Sequence, residues 1–377
     1  MNILLVVENF PPNVGGIQTE FWEFARHLAK LGHSVRVATS TSGGLTGLRN
    51  TEQVEIYHYH WLSFFDHPIG RKLDIMAHAA WADIVHTTTY STALPSLAAA
   101  RYYKKPCVLS VQEVIGKRWY SLIRNPLLAL SFHLFEKFLV TRKFSAWHAI
   151  SDATRSDTIA AGVSSTKIKT IHLGIDTIHW DHTVNPLSLC SLFGFPPNSR
   201  VLLFLGRPGK TKGADLIIDA ARLVKHKLPS DVRIGFIMSD SPPGERGVFI
   251  RRLTSAGFSD VAKVVPSVSY ANLPRYVKDA FCVIVPSRTE GFGFVAAEAC
   301  QLKVPIISSD AGSLPEVVSG RYLFFKNGDS YDLAKQLLLA CENRFLTKQP
   351  KTFSWELAAQ ELCLLYQLAA NSLLDCE

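Results

Sequence analysis

The sequence predicts an α/β protein built from two doubly wound domains. Three observations carry that expectation. Short, almost unbroken apolar runs recur at 3–7, 35–38, 84–86, 107–111 and 147–150, and again at 201–205, 234–238, 282–285 and 305–307. Helix-length segments separate them, and strands apolar on both faces belong to parallel sheets covered by helices on both sides. With 377 residues, 47% of them hydrophobic, the chain can give each block its own core.

At the start of the chain, residues 1–8 lack a basic stretch and a cleavage site, so they read as a first strand and not as a signal peptide. Gly15-Gly16 then forms a bare turn before a helix at 18–31. Open α/β sheets bind ligands at such strand ends, and a Gly16 N–H there can touch a phosphate or a sugar. Taken alone, the pair also fits a loop that simply needs glycine conformations. The turn is not G-x-G-x-x-G, and strand 35–38 runs into Thr39-Ser40-Thr41-Ser42 without an acid, which argues against a dinucleotide oxidoreductase.

Strand 84–86 ends in His86, read as a polar strand-end residue meeting solvent, and strand 107–111 is followed by Gln112. His58 and His60 share a face if extended, but a metal site needs further ligands and none is indicated. The first domain is expected over 1–175, ending near the loop 171–176. A linker through 177–200 is marked by Pro186, Pro196 and Pro197, and a second domain is expected over 180–352. The tail, 353–377, has helical apolar spacing and four acids with no base.

Strand 201–205 runs into Gly206-Arg207-Pro208-Gly209-Lys210-Thr211-Lys212-Gly213 and then a helix from Ala214. A guanidinium fork and a mobile ammonium at one strand end make a natural diphosphate clamp, although exposed loop cations without a ligand read the same way. Strand 282–285 is followed by Ser287-Arg288-Thr289-Glu290-Gly291-Phe292-Gly293-Phe294-Val295 and, eight positions after the first carboxylate, Glu298. This is a strand, a tight turn and a helix. Gly291 and Gly293 allow positive φ and close backbone approach, and the helix start faces any anion lying over the turn. Without a ligand, Glu290 would be an acid favoured by the helix dipole and Glu298 a surface glutamate.

The formal charge of +8 is concentrated. Between Arg101 and Arg155, ten Lys/Arg stand against Glu113, Glu136 and Asp152, a local excess of seven. Within this region, 117–143 mixes bases, aromatics and leucines. Two readings stay open for it: an interfacial helix pair lying on anionic lipid, or core packing with a solvated basic face. No nucleic-acid-binding module is present, so that partner class is set aside. No apolar run approaches the ~20 residues needed to cross a bilayer. Seven scattered cysteines without C-x-x-C suit free thiols in a reducing cytoplasm.

The glycines, the spacing of Glu290 and Glu298 and the preceding strand together resemble the Glu-x7-Glu signature of retaining GT-B glycosyltransferases, glycosyltransferase family 4. The resemblance extends to the first glycine loop, the strand end at Ala149-Ile150-Ser151, the loop 172–176 and the segment 206–213. It implies two Rossmann-like domains facing a cleft, with the last helix crossing back to the first domain. It further implies an acceptor domain over 1–175, a donor domain over 180–352 and a hexose moved from a UDP-sugar or GDP-mannose to a glycan or lipid-linked hydroxyl. By that pattern Arg207 and Lys212 grip the diphosphate, with Lys210 a stand-in. Glu290 takes the sugar hydroxyls, Glu298 takes the ribose, and the backbone of Phe294 and Val295 supports the phosphates. Gly15, Gly16, Gln112, Gly291, Phe292 and Gly293 complete the expected donor contacts, and neither metal nor cofactor is called for.

The family often has a histidine where this chain has Gln112, which can hydrogen-bond but not carry charge. That leaves a shifted mechanism with His86 compensating, or reduced activity. A nucleotide-sugar epimerase or phosphorylase of the same fold, or a weakened nucleotide-sugar-binding protein, are the alternatives. The expected location is cytoplasmic, peripheral on the inner face of the membrane.

Overall fold

The computed structural model describes residues 1–11, 15–40, 47–51, 53–59 and 68–374. The chain divides into two compact units, 1–174 with 354–377, and 175–353.

In the first unit the strands are β1 (Asn2–Val7), β2 (Ser34–Ser40), β3 (Gly47–Thr51), β4 (Val54–Tyr59), β5 (Ile84–Thr88), β6 (Cys107–Val111), β7 (Ala146–Ala149) and β8 (Ile168–Thr170). They form one sheet in the order β3-β4-β2-β1-β5-β6-β7-β8, parallel except for the β3–β4 pair. Strand order reverses direction between β1 and β5, so the crevice at their carboxyl ends is where such a sheet receives ligands. Its central strands β5, β6 and β7 are buried throughout, and β1 from Ile3 onward; Ile3 to Val6 and Val108 to Leu109 have no exposed surface.

The helix Trp355–Leu374 belongs to this first unit, as the family resemblance implied. Its buried positions Ala358, Ala359, Leu362, Leu365, Tyr366 and Ala369 fall on one helical face. Trp355 meets Phe24 of the Gly16–Lys30 helix edge to face, with ring centroids 5.5 Å apart.

The second unit contains β9 (Arg200–Gly206), β10 (Val232–Met238), β11 (Ala262–Val265), β12 (Cys282–Val285), β13 (Ile306–Ser309), β14 (Gly320–Phe325) and β15 (Leu346–Lys348). Their order is β11-β10-β9-β12-β13-β14-β15, again parallel apart from the last pair. Direction reverses between β9 and β12. The stretch 177–200, which its prolines mark as a linker, carries a helix at Leu189–Phe193 with both ends buried. Among the described residues no helix is long and apolar enough to cross a membrane.

The histidines of the first unit depart from expectation. His60 lies outside the described residues, and His58 is a buried β4 residue. His86 does not meet solvent: it is fully buried, with Nδ1 2.7 Å from the Tyr366 hydroxyl and Nε2 2.8 Å from Ser110 Oγ. Its place on β5, covered by the Trp355–Leu374 helix, leaves no route to a substrate, so it cannot stand in for the histidine that Gln112 replaces.

Candidate active site

In the second unit, the carboxyl ends of neighbouring strands β9 and β12 deliver the two chemically loaded turns side by side. The β9 turn continues from Gly206 into the Ala214–Val224 helix, and the β12 turn into the Phe294–Gln301 helix. Gly213 adopts φ 70°, and a Cβ there would lie 2.0 Å from the Pro286 carbonyl oxygen. No side chain fits, so this glycine lets the Lys212 backbone press against the end of β12.

The two turns are bolted together. Arg288 donates two guanidinium bonds to Asp215, both 2.8 Å, and a third of 2.8 Å to the Lys210 carbonyl. The Arg288 amide also donates to the Thr211 carbonyl at 2.7 Å. Behind it, Asn327 donates to the Arg288 carbonyl at 2.9 Å. Such a planar bidentate fork fixes geometry in a way a lysine cannot.

Lys212 then meets Glu290. Its ammonium lies 3.0 Å from Oε1 and 2.8 Å from Oε2, and Ser287 Oγ donates to Oε2 at 2.9 Å. The Glu290 backbone is held from below by the Ser313 amide and hydroxyl, at 3.2 and 3.3 Å from its carbonyl. Gly312, with φ 51°, permits that approach, since a Cβ there would lie 2.2 Å from the same oxygen. Gly293 caps the next helix in the left-handed region, φ 93°, whereas Gly291 does not take positive φ.

The side chains of Arg207 and Glu298 make no hydrogen bond or ion pair among the described residues. Arg207 is exposed at the end of β9. Glu298, about one turn into the Phe294–Gln301 helix, is half-buried, and burial raises its carboxyl to about 8. A recessed acid without a donor is held neutral until hydroxyl or amide donors arrive. The Phe292 ring is buried edge to face with Phe294 and Phe353, which leaves only its backbone able to face a ligand. Phe294 and Val295, both partly exposed, begin the helix, and Lys210 is exposed.

The remaining expected residues lie in the first unit. Gly15 is the extended N-cap of the Gly16–Lys30 helix at the carboxyl side of β1. Gln112, partly exposed beyond β6, donates to the fully buried Glu20 at 2.6 Å. Burial pushes Glu20 up to about 7.

Sequence reasoning misses Arg288, Asp215, Ser313 and Glu20. Arg288 sits inside the motif without a role, and Asp215 opens the helix two positions after Gly213. Glu20 interrupts a buried stripe that continues at Phe21, Phe24, Ala25 and Leu28.

Comparison with known proteins fits this arrangement. Residues 193–355 match the family model described as glycosyl transferases group 1, and residues 14–179 match that of glycosyltransferase family 4. An uncharacterised glycosyltransferase of Methanocaldococcus jannaschii is 23% identical, covering 98% of each chain. The D-inositol 3-phosphate glycosyltransferase of Jonesia denitrificans is 30% identical over 33% of this chain and 30% of its own length. Among solved structures, a sucrose-phosphate synthase from Thermosynechococcus elongatus superposes with a TM-score of 0.80 at 17% identity, covering 97% and 98% of the two chains. Anabaena HepE in complex with UDP superposes at 0.70 with 18% identity over 100% of both. The two matched segments span most of the sequence, and the chain belongs to the group 1, family 4 glycosyltransferases with the GT-B fold.

Proposed function

We propose that this glycosyltransferase moves a hexose, with retention, from a nucleotide-diphosphate sugar to a hydroxyl of a glycan or lipid-linked acceptor. The observation that carries the reading is the bolted pair of turns after β9 and β12. It sets the Lys212–Glu290 pair beside the end of β9, with Arg207 and Glu298 left unpartnered.

Each group has a role on this reading. An ammonium has three donors; Lys212 directs two at Glu290 and keeps one for a phosphate oxygen. Arg207 adds a fork to the same diphosphate. Both stabilise the charge that grows on the leaving group while the sugar passes through an oxocarbenium-like state. Glu290 receives sugar hydroxyls, and Glu298 receives the two ribose hydroxyls, which supply the donors it lacks. The amide-rich start of the Phe294–Gln301 helix supports the phosphates. The neighbour HepE, solved with UDP and with UDP-glucose, supports a nucleotide-sugar donor. The departing phosphate oxygen takes the acceptor's proton, so no protein base is assigned.

A thermal-shift panel of nucleotide sugars tests the donor, since a ligand bound only by the folded state raises the melting temperature. The product anomer, read by NMR, tests retention. Isotope exchange at sugar C2, or phosphorolysis without nucleotide, would reassign the chain to an epimerase or a phosphorylase. Donor binding without turnover on any acceptor would make it a binding protein.

A lipid-linked acceptor is supported by the helix Pro126–Val140. Its one acid, Glu136, is turned inward, where Oε1 accepts from the Tyr90 hydroxyl and the Ile115 amide, both at 3.0 Å, and Oε2 from the Gly116 amide at 2.7 Å. Leu127, Leu130, Leu134 and Phe138 are turned outward instead, 77%, 39%, 55% and 46% exposed. Lys117, Arg124 and Lys137 are exposed in the same segment, while Arg118 is taken up by Asp157 at 2.5 Å. A leucine stripe with basic neighbours suits an anionic bilayer surface. Leu130→Ser with Leu134→Ser should weaken binding to phosphatidylglycerol vesicles about tenfold or more, at about 1 kcal/mol per side chain returned to water. Unchanged sedimentation would discard the surface.

A further inference from the structure

Beneath the first unit's strand ends, five polar groups form a chain in which every proton can be assigned. His148 Nε2 lies 2.8 Å from the Ile171 carbonyl, which can only accept, so that nitrogen carries the hydrogen. Burial lowers His148 to about 4, so the ring is neutral and its Nδ1 is an acceptor. Ser110 Oγ, 2.7 Å away, must therefore donate to it. Having given its one proton, the serine oxygen accepts from His86 Nε2 at 2.8 Å. His86, neutral for the same reason, accepts at Nδ1 from the Tyr366 hydroxyl at 2.7 Å. The direction of the whole line is set by one backbone carbonyl.

Glu20 stands beside this line, close to the Ser110 hydroxyl, which eases its ionisation but directs its one proton to His148. Its Oε1 is 3.8 Å from His148 Nδ1, which carries no hydrogen, and has no hydrogen-bond partner. The Glu20 side chain is fully buried, and its other oxygen, Oε2, accepts 2.6 Å from the amide nitrogen of Gln112. In a planar amide the nitrogen and oxygen point to opposite sides. An ionised Glu20 repels the reversed amide, which would set oxygen against oxygen. Gln112 is thus held with its nitrogen inward and its carbonyl outward, at the partly exposed end of β6.

We infer that Glu20 is a positioning residue that fixes Gln112 as a hydrogen-bond acceptor for a hydroxyl of the bound acceptor. The inference rests on the glycosyl-transfer reading above. It accounts for a glutamine in this place: orientation by a buried carboxylate supplies one defined acceptor atom without a titrating ring. The arrangement is pH-sensitive. Ionised Glu20 enforces the outward carbonyl, whereas the protonated acid can donate to a flipped Gln112. The titratable groups packed around it are His86 on β5, His148 on β7, Tyr366 on the last helix and, acting on His148, His172. Both buried histidines stay neutral across the range in which Glu20 ionises, because burial lowers both.

The test compares wild type, Glu20→Gln, Gln112→Leu and the double variant Glu20→Gln/Gln112→Leu, at saturating donor, from pH 6 to 9. Glu20→Gln is expected to lower kcat/KM for the acceptor about tenfold at pH 8, the size of one lost hydrogen bond. It should also flatten the limb near pH 7 and leave UDP affinity by calorimetry unchanged. Because Glu20 acts through Gln112, the double variant should lose no more than Gln112→Leu alone. A Glu20→Gln enzyme with wild-type kcat/KM and the wild-type pH limb would overturn the inference, as would additive losses in the double variant. Wild type that binds no nucleotide sugar would instead overturn the underlying reading, so the two failures are separable.

Discussion

Replacing Glu298 by glutamine should stabilise the protein while weakening donor binding. In the unfolded chain the acid ionises near 4.5; in the fold, burial raises it to about 8. A raised carboxyl loses stability as pH climbs from the unfolded value to the folded one, because the fold resists an ionisation that the unfolded chain undergoes freely. At ~1.4 kcal/mol per unit, the full shift corresponds to about 5 kcal/mol above pH 8. The side chain is only half-buried, and screening at its exposed edge brings that to about 2 kcal/mol. Glutamine fills the same volume and never ionises. Glu298→Gln should therefore raise Tm by about 4–8 °C at pH 8, at 2–4 °C per kcal/mol for domains of this size, and by nothing at pH 4.5. The same change removes the charged acceptor for two ribose hydroxyls, so UDP affinity should fall about 10- to 100-fold. Scanning calorimetry at the two pH values and UDP titration read both effects. A variant of unchanged or lowered Tm at pH 8, or one binding UDP as tightly as wild type, would refute the reasoning.

The turns after β9 and β12 carry three more expectations. Arg288→Ala removes the fork to Asp215 and the tie to Lys210, which should cost about 1–3 kcal/mol. It should reduce UDP affinity about tenfold, although Arg288 is assigned no ligand contact; calorimetry against wild type measures it. Gly213→Ala drives a methyl into the Pro286 carbonyl, so a loss of about 2 kcal/mol or more is expected in urea unfolding. Lys210→Ala, by contrast, should leave stability within about 0.5 kcal/mol, since that side chain is exposed and only its backbone carbonyl is used.

The central strands and both loaded turns are legible in the sequence because each is a local pattern. Runs such as 201–205 and 282–285 are apolar at every position, and each leads through a glycine-punctuated turn into a helix. The sheet edges are harder to read. β15 is three largely exposed residues, and β8 has one buried position in three. β4, however, alternates buried and half-buried side chains at period two, a signal that Val54 to Tyr59 do carry and that a search for unbroken apolar runs passes over.

The pairing of Arg288 with Asp215 joins residues 73 positions apart, and no spacing rule links them before the sheet places β9 beside β12. His86 misleads for a related reason. A strand-end histidine reads as solvent-facing until the last helix, 280 positions later, lays Tyr366 over it. Gln112 stands out as a departure from the family pattern, but its partner Glu20 lies 92 residues earlier, on a helix whose other buried residues are mostly apolar.

Titration of UDP into wild type, Arg207→Ala and Lys212→Ala, with uridine as the control ligand, tests most directly whether the β9 turn grips a diphosphate. The account predicts that each variant, with its melting temperature preserved, loses UDP affinity about 10- to 100-fold while uridine binding is unchanged. Wild-type UDP affinity in both variants, or equal losses for UDP and uridine, would contradict it.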